Sequence, residues 1–316
     1  MDLKESQRPT MGVLGSDLHH NHAALFSTIL VIYTLTWIAN LLLISSIKLS
    51  PQLHTPMYFF LGNLSVVDIF FSTVTIPKLL SCILYGRASI SFLGCFLQMF
   101  FFLFLGSIES LLLSVMAFDR YLAICFPLHY TLSMNDKVMF ILISSCWFVG
   151  APHSLLHTYN VSQLSYCEDR LIPHFFCDMT PLIKLSCSST TFVELVIYIE
   201  GSIIVIIQFL CVLISYVLIG RAIVKMKTRS SRSKAFSSCS SHLMVICLFY
   251  GTIIFIYFRP PSNYSSQYDR IVSMAYTIIT PMLNAFIYSL RNQDVKQALK
   301  KIISKGHFTP QKLLDR

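Results

Sequence analysis

MAFDRYLAIC, residues 116–125, closes an apolar run that begins near Cys95 and sets an acid, an arginine and a tyrosine side by side at its end. A charge deep in hydrocarbon is costly, whereas one near the end of a span can reach the headgroups. Asp119 and Arg120 therefore belong where a membrane helix meets water, each partly neutralising the other. Alone, the pair reads as an interfacial anchor. The rest of the chain argues for more than that.

Working outward, the 316 residues are 54% hydrophobic and only 12% charged. A spanning helix needs roughly 20 mostly apolar residues. Seven runs qualify: 23–47, 57–84, 95–125, 138–158, 192–224, 235–258 and 271–290. In hydrocarbon each backbone polar group must be satisfied within its own helix, so the expected fold is an all-α membrane protein, a seven-transmembrane helix bundle. Residues 1–22 are polar and lack the order of a cleavable signal, so the first span serves as its own insertion signal. The expected organisation is an extracellular tail over 1–22, the seven-transmembrane domain over 23–291, and a cytoplasmic helix and tail over 292–316. Residues 295–303 read as a basic amphipathic helix on the inner leaflet.

The formal charge of +9 is unevenly placed. With the N-terminus outside, most of the 24 basic residues fall on one side, many of them in the stretches 221–234 and 291–316. By the positive-inside rule that side is cytoplasmic. The charge sets orientation in a lipid bilayer and calls for no nucleic acid. Cys95, Cys167, Cys177 and Cys187 fall outside, where disulfides persist, and four cysteines allow three pairings. The other six read as apolar fillers in spans or near the cytosol. His19, His20 and His22 form no metal constellation with a second cluster and read as solvated tail.

Ionisable residues inside spans are functional candidates by default. Asp68 in the second span and Glu109 in the third are expected neighbours. Two close carboxylates cannot both ionise cheaply, so they share a proton, hold a cation such as sodium, or each stay neutral and hydrogen-bonded. Glu194 lies near enough to the surface to be solvated, but Glu200 should face a cavity or a partner. It is a candidate for a cationic ligand such as an amine, or for Arg259; the alternative is a neutral acid bonded within the bundle. A long outer loop, 159–191, is the kind that carries function. Asn63 begins a glycosylation sequon inside a span, whereas those at Asn160 and Asn263 are expected in outer loops.

Five strings in order resemble the olfactory receptors among the rhodopsin-like (class A) G-protein-coupled receptors. They are LHTPMYFFLGNLS at 53–65, MAFDRYLAICFPLHY at 116–130, SY at 215–216, KAFSSCSSHL at 234–243 and PMLNAFIYSLRN at 281–292. CFLQMFFF at 95–102 and SLLHT at 154–158 resemble the tetrapod-type class. The resemblance implies a plasma-membrane receptor that binds a small volatile odorant and activates a heterotrimeric, olfactory-type stimulatory G protein to raise cyclic AMP, with no catalytic residue. It implies disulfides Cys95–Cys177 and Cys167–Cys187. It implies that Arg120 leaves Asp119 on activation to meet Tyr216 and the G protein. Tyr121, Lys234 and His242 would take part in coupling, and Asn284 and Tyr288 would form the switch in the seventh span. Asp68 and Glu109 would form an interior sodium or proton site, with no other cofactor. Odorant would sit against Phe102, Leu103, Gly106 and Ser107, with Glu200, Ile204, Tyr250, Ile253, Tyr257, Met274 and Thr277 on its other sides.

Three departures from that pattern stand out. Ala285 and Gln208 occupy positions where the family usually has proline, and the tail has no sequon. The competing readings are a non-olfactory rhodopsin-like receptor and a secondary transporter. The third span lacks the outer-half acid of amine receptors, and no half of the chain repeats another as transporters do. An enzyme would need a nucleophile–base pair, a phosphate-cradling loop or a metal constellation, and the sequence offers none of these. His242 reads as packing or switch.

Overall fold

The computed structural model describes residues 11–14, 22–166, 171–172, 174–257, 272–291 and 293–306. Six long helices follow one another: α1 (His22–Leu49), α2 (Pro56–Tyr85), α3 (Phe92–Cys125), α4 (Asp136–Ser162), α5 (Thr191–Lys225) and α6 (Arg229–Tyr257). Each is long and apolar enough to cross a membrane. The seventh, α7, covers residues 272–291: a first helical turn, a π-helical turn at Ala275–Ile279 and the α-helix Thr280–Arg291. The helix α8 (Gln293–Gly306) follows. The chain is thus a seven-span bundle.

Local chemistry sets the helix ends. Pro56 opens α2, where its missing N–H costs no bond. Ser91 caps α3 by accepting from Gly94 N at 3.1 Å, and Asn135 caps α4 by accepting from Val138 N at 3.1 Å. Gly86, with φ of 71°, turns the chain out of α2 in a conformation side chains resist. The sequence places the end of α4 too early and its start too late: the helix begins two residues before the expected 138 and runs four residues beyond the expected stop at 158. Asn160 therefore lies in its last turn rather than in a loop, and Asn263 lies outside the described residues.

The third helix is the axis. It packs against α2, α4, α5 and α6, and Phe102, Leu105, Ile108, Leu112 and Met116 along it are buried. The outward faces carry large apolar side chains instead, such as Leu30 and Ile38 on α1, Phe140 and Phe148 on α4, and Ile206 and Ile214 on α5. Continuous apolar surface of this kind is a liability in water and the proper face toward lipid. Val295 and Ala298 of α8 are buried, and α8 packs on α1 and α7, so part of its apolar face is spent on protein rather than on the leaflet. Tyr58 Oη donates to Asp294 at 3.2 Å, fixing α8 to α2.

One part of the tail is ordered in an unexpected way. Strand β1 (Met11–Leu14) pairs antiparallel with β2 (Arg87–Ile90), Met11 opposite Ile90, and parallel with β3 (Leu171–Ile172). The sheet ties three outer segments together. Cys95 at the head of α3 is bonded to Cys177 of the outer loop. Cys187 is also disulfide-bonded, and Cys167 lies outside the described residues.

The Cys95–Cys177 link closes a loop of 82 residues, and removing such a cross-link costs about 2–5 kcal/mol. Cys95→Ser is expected to lower the melting temperature of the detergent-solubilised protein. An unchanged melt would show that the sheet alone holds the loop.

Candidate functional site

Under the outer loop lies a cavity of about 270 Å³. Phe102, Leu103, Gly106 and Ser107 supply its α3 wall, and Ile204 faces them from α5. Gly106 leaves the floor open: a Cβ there would sit 3.7 Å from Phe71 and 3.8 Å from the Tyr276 hydroxyl. Aromatic rings close the remaining sides. Phe71 and Phe102 stack at 5.1 Å, Phe176 of the outer loop leans on Phe102 at 4.7 Å, and Phe249 of α6 meets Tyr276 of α7 at 6.1 Å between centroids. Gln98, one turn out from Phe102, holds this roof: it donates to Val74 O at 2.8 Å and accepts from Cys177 N at 3.1 Å.

The cavity's polar groups are few. Ser110 donates a short hydrogen bond to Gln208 Oε1, so the glutamine at a position expected to hold proline is satisfied and α5 runs unbroken. His153 and His157 of α4 line the cavity, one helical turn apart, and both bond to Glu200: His153 Nδ1 to Oε1 at 2.8 Å and His157 Nε2 to Oε2 at 2.7 Å. Glu200 thus has histidine partners. Arg259, the partner weighed from sequence, lies outside the described residues. Asp178 enters from the outer loop, where it is buried at the head of the short helix Met179–Lys184 and accepts from Met179 N at 2.8 Å. Burial pushes its carboxyl up from 3.8 to about 6, with the Met179 N–H opposing the shift.

Below the cavity, Asn284 Nδ2 donates to Asp68 Oδ1 and to Glu109 Oε1, each at 3.1 Å. The second oxygens, Asp68 Oδ2 and Glu109 Oε2, are buried without a hydrogen-bond partner among the described residues. At the inner end Asp119 is fully buried. It accepts from Arg120 Nε at 3.0 Å, from Arg120 Nη2 at 2.5 Å and from Tyr130 Oη at 2.7 Å. Tyr216 Oη bonds to His242 Nδ1 at 2.7 Å. Tyr288 is buried nearby in α7, and Tyr121 packs edge-on against Phe126 at 5.6 Å.

The profile of the olfactory receptor family matches residues 29–306. Olfactory receptor 1G1 of Gorilla gorilla gorilla is 49% identical over 280 residues, covering 89% of this chain and 90% of the relative. Olfactory receptor 1f45 of Rattus norvegicus is 47% identical over 280 residues, again 89% and 90%. Olfactory receptor 1F1 of Homo sapiens is 47% identical over 285 residues, 90% and 91%. The chain belongs to the olfactory receptor family. It is a multi-pass receptor of the plasma membrane, in a family of receptors rather than enzymes.

Within this olfactory receptor the expected ligand set is only partly brought together. Phe102, Leu103, Gly106, Ser107 and Ile204 line the cavity, whereas Glu200 stands behind His153 and His157. Tyr250 packs against Phe209 at 5.6 Å, and its neighbour Phe249 forms the wall. In α7 the wall is Ser273 and Tyr276, not Met274 and Thr277; Thr277 bonds back to Ser273 O at 2.8 Å. The π turn explains the slip, because an extra residue in one turn shifts the outer face relative to Asn284 and Tyr288. The side chains of Ile253, Tyr257 and Lys234 lie outside the described residues. The sequence reading missed His153, His157 and Asp178. Histidines four apart in an apolar span were the available signal for the first two, since they share a helix face. Asp178 offered none, because only the loop's fold buries it.

The Asp178 carboxyl has a folded pKa above its ordinary one, so the folded receptor holds the proton longer than the unfolded chain does. Stability from this group is therefore present below about pH 4 and lost as pH rises towards about 6, on the order of 2–3 kcal/mol. Asp178→Asn keeps the capping oxygen and removes the charge. It is expected to raise the melting temperature at pH 7 and to flatten its decline between pH 4 and 6. An unchanged profile would place the carboxyl in water.

Proposed function

We propose that this chain is an odorant receptor that takes a small volatile molecule into the outer cavity and activates a stimulatory, olfactory-type G protein to raise cyclic AMP. The observation that carries the proposal is a mostly apolar, aromatic cavity and a buried Asp119–Arg120 pair at opposite ends of one helix, α3. Ligand burial in such a cavity is worth about 25 cal/mol per Å² of apolar surface, with Ser107, Ser110 and Gln208 orienting the molecule. A ligand drives signalling only through its preference for one conformation.

The same reading gives the inner groups their tasks. Asp119 holds Arg120 in the resting arrangement; freed, the guanidinium turns to Tyr216, which must leave His242. Asp68 and Glu109, each with one buried oxygen that has no hydrogen-bond partner among the described residues and with Asn284 donating to both, suit a sodium ion or a shared proton. Either would supply the positive charge that two buried carboxylates lack. Collapse of that cluster would let α7 move at Asn284 and Tyr288. The N-terminus lies outside in this reading, and the basic inner ends of α5, α6 and α8 meet the G protein.

The test is cyclic AMP in cells expressing the receptor with a trafficking chaperone and the olfactory G protein, challenged with amines, acids and neutral volatiles. Arg120→Ala is expected to abolish every response at unchanged surface level. Asp119→Asn is expected to raise basal cyclic AMP several-fold. Gly106→Leu fills the cavity floor and is expected to remove odorant responses while leaving the basal signal of Asp119→Asn intact. Odorant responses that survive Gly106→Leu would move the binding site elsewhere.

A further inference from the structure

We propose that His153, His157 and Glu200 form a binding site for a divalent first-row transition-metal ion, with Zn²⁺ as its reference occupant, in the wall of the outer cavity. The three residues come from two helices, and their ligand atoms, His153 Nδ1, His157 Nε2 and a Glu200 carboxylate oxygen, all lie within 4.8 Å of one another. Donors around a tetrahedral zinc stand roughly 3.3 Å apart for bonds of about 2.0–2.1 Å, so modest side-chain shifts admit an ion. The histidines are four residues apart on α4 and therefore share a face, while Glu200 is brought to them by α5.

Donor type and burial both favour a metal. Two imidazoles and one carboxylate make the set that zinc uses when a fourth position is left open. Here that position faces the cavity, because His153 and His157 line it. His157 is almost wholly buried, His153 is 15% exposed and Glu200 28%, so the site is enclosed yet reachable. Entry is from the outer side: His157 lies five residues, roughly 8 Å, inside the end of α4. Each imidazole presently donates to the carboxylate; to ligate an ion through the same nitrogens, His153 moves its proton to Nε2 and His157 to Nδ1, and the ion brings two positive charges to a site that holds one carboxylate. His157 Nδ1 has no hydrogen-bond partner among the described residues, so the supporting shell is thin. A thin shell weakens affinity, and the site belongs in the micromolar range rather than with structural zinc.

The site goes beyond odorant recognition, and its test uses no odorant. Purified full-length receptor in lipid nanodiscs is titrated with Co²⁺, whose visible absorption reports tetrahedral coordination, and then with Zn²⁺ as competitor. A variant with His19, His20 and His22 all changed to alanine removes the tail histidines as a rival site. The expected result is one equivalent of Co²⁺ bound with micromolar half-saturation and displaced by Zn²⁺, unchanged in the tail variant and weakened more than tenfold in Glu200→Gln and in His153→Ala. Zn²⁺ should also raise the melting temperature of the wild type and not that of Glu200→Gln, whose own cooperative melt shows that it folds. Binding that survives both Glu200→Gln and His153→Ala, or that disappears in the tail variant, overturns the proposal. So does the absence of a tetrahedral signal.

Discussion

In the hydrocarbon core no water is at hand for a stray polar group, so each is costly until it finds a partner within the protein. That constraint explains most of what is polar in this receptor. Serines and threonines along the spans bond back to the carbonyl one turn earlier, as Thr36 does to Ile32 O and Ser154 to Gly150 O. Asn40 of α1 reaches the Pro281 carbonyl of α7 at 3.4 Å. Groups that cannot be settled locally gather in clusters: Glu200 with two histidines, Asp68 and Glu109 about Asn284, and Asp119 with Arg120 and Tyr130. Where the partners come from other helices, as about Glu200 and Asn284, the cluster also fixes how helices lie against each other.

α3 contributes to two of these clusters and to the cavity wall, and it is bonded to the outer loop through Cys95. It therefore joins the cavity, the interior acids and the Asp119–Arg120 end of the bundle by one rigid element. In the function proposed above, release of Arg120 from Asp119 is a discrete step, because packed interiors do not deform continuously. The two expected prolines that are absent, at Gln208 and Ala285, cost the bundle little. Gln208 is hydrogen-bonded to Ser110, Thr280–Arg291 is a continuous α-helix through a buried Ala285, and the irregularity of α7 sits in the π turn instead.

Much of the architecture was legible from the chain. The seven spans, the basic inner face and the α3 end of the cavity follow from hydrophobic length, charge asymmetry and short motifs. The helix ends were less so: α4 continues to Ser162 because its last polar residues still bond within the helix. The tail's strand was hidden, since four residues have no period to read and the pairing partners lie far along the chain. On α6 and α7 the expected wall residues fell one position from the actual ones, as Phe249, Ser273 and Tyr276 show.

Sequence alone determined that this protein is a seven-span bundle of the olfactory receptor type, because span length and polarity are local properties of the chain. It also determined which acids fall within the spans. Tertiary structure decided which of them meet. Glu200 finds His153 and His157 only when α4 and α5 are placed side by side with the right rotation, a relation between residues 47 and 43 positions apart. Asp178 becomes a cavity group only when the outer loop folds inward over Cys177. Helix rotation, the π turn and loop burial arise from packing among distant segments, and no local pattern of residues encodes them.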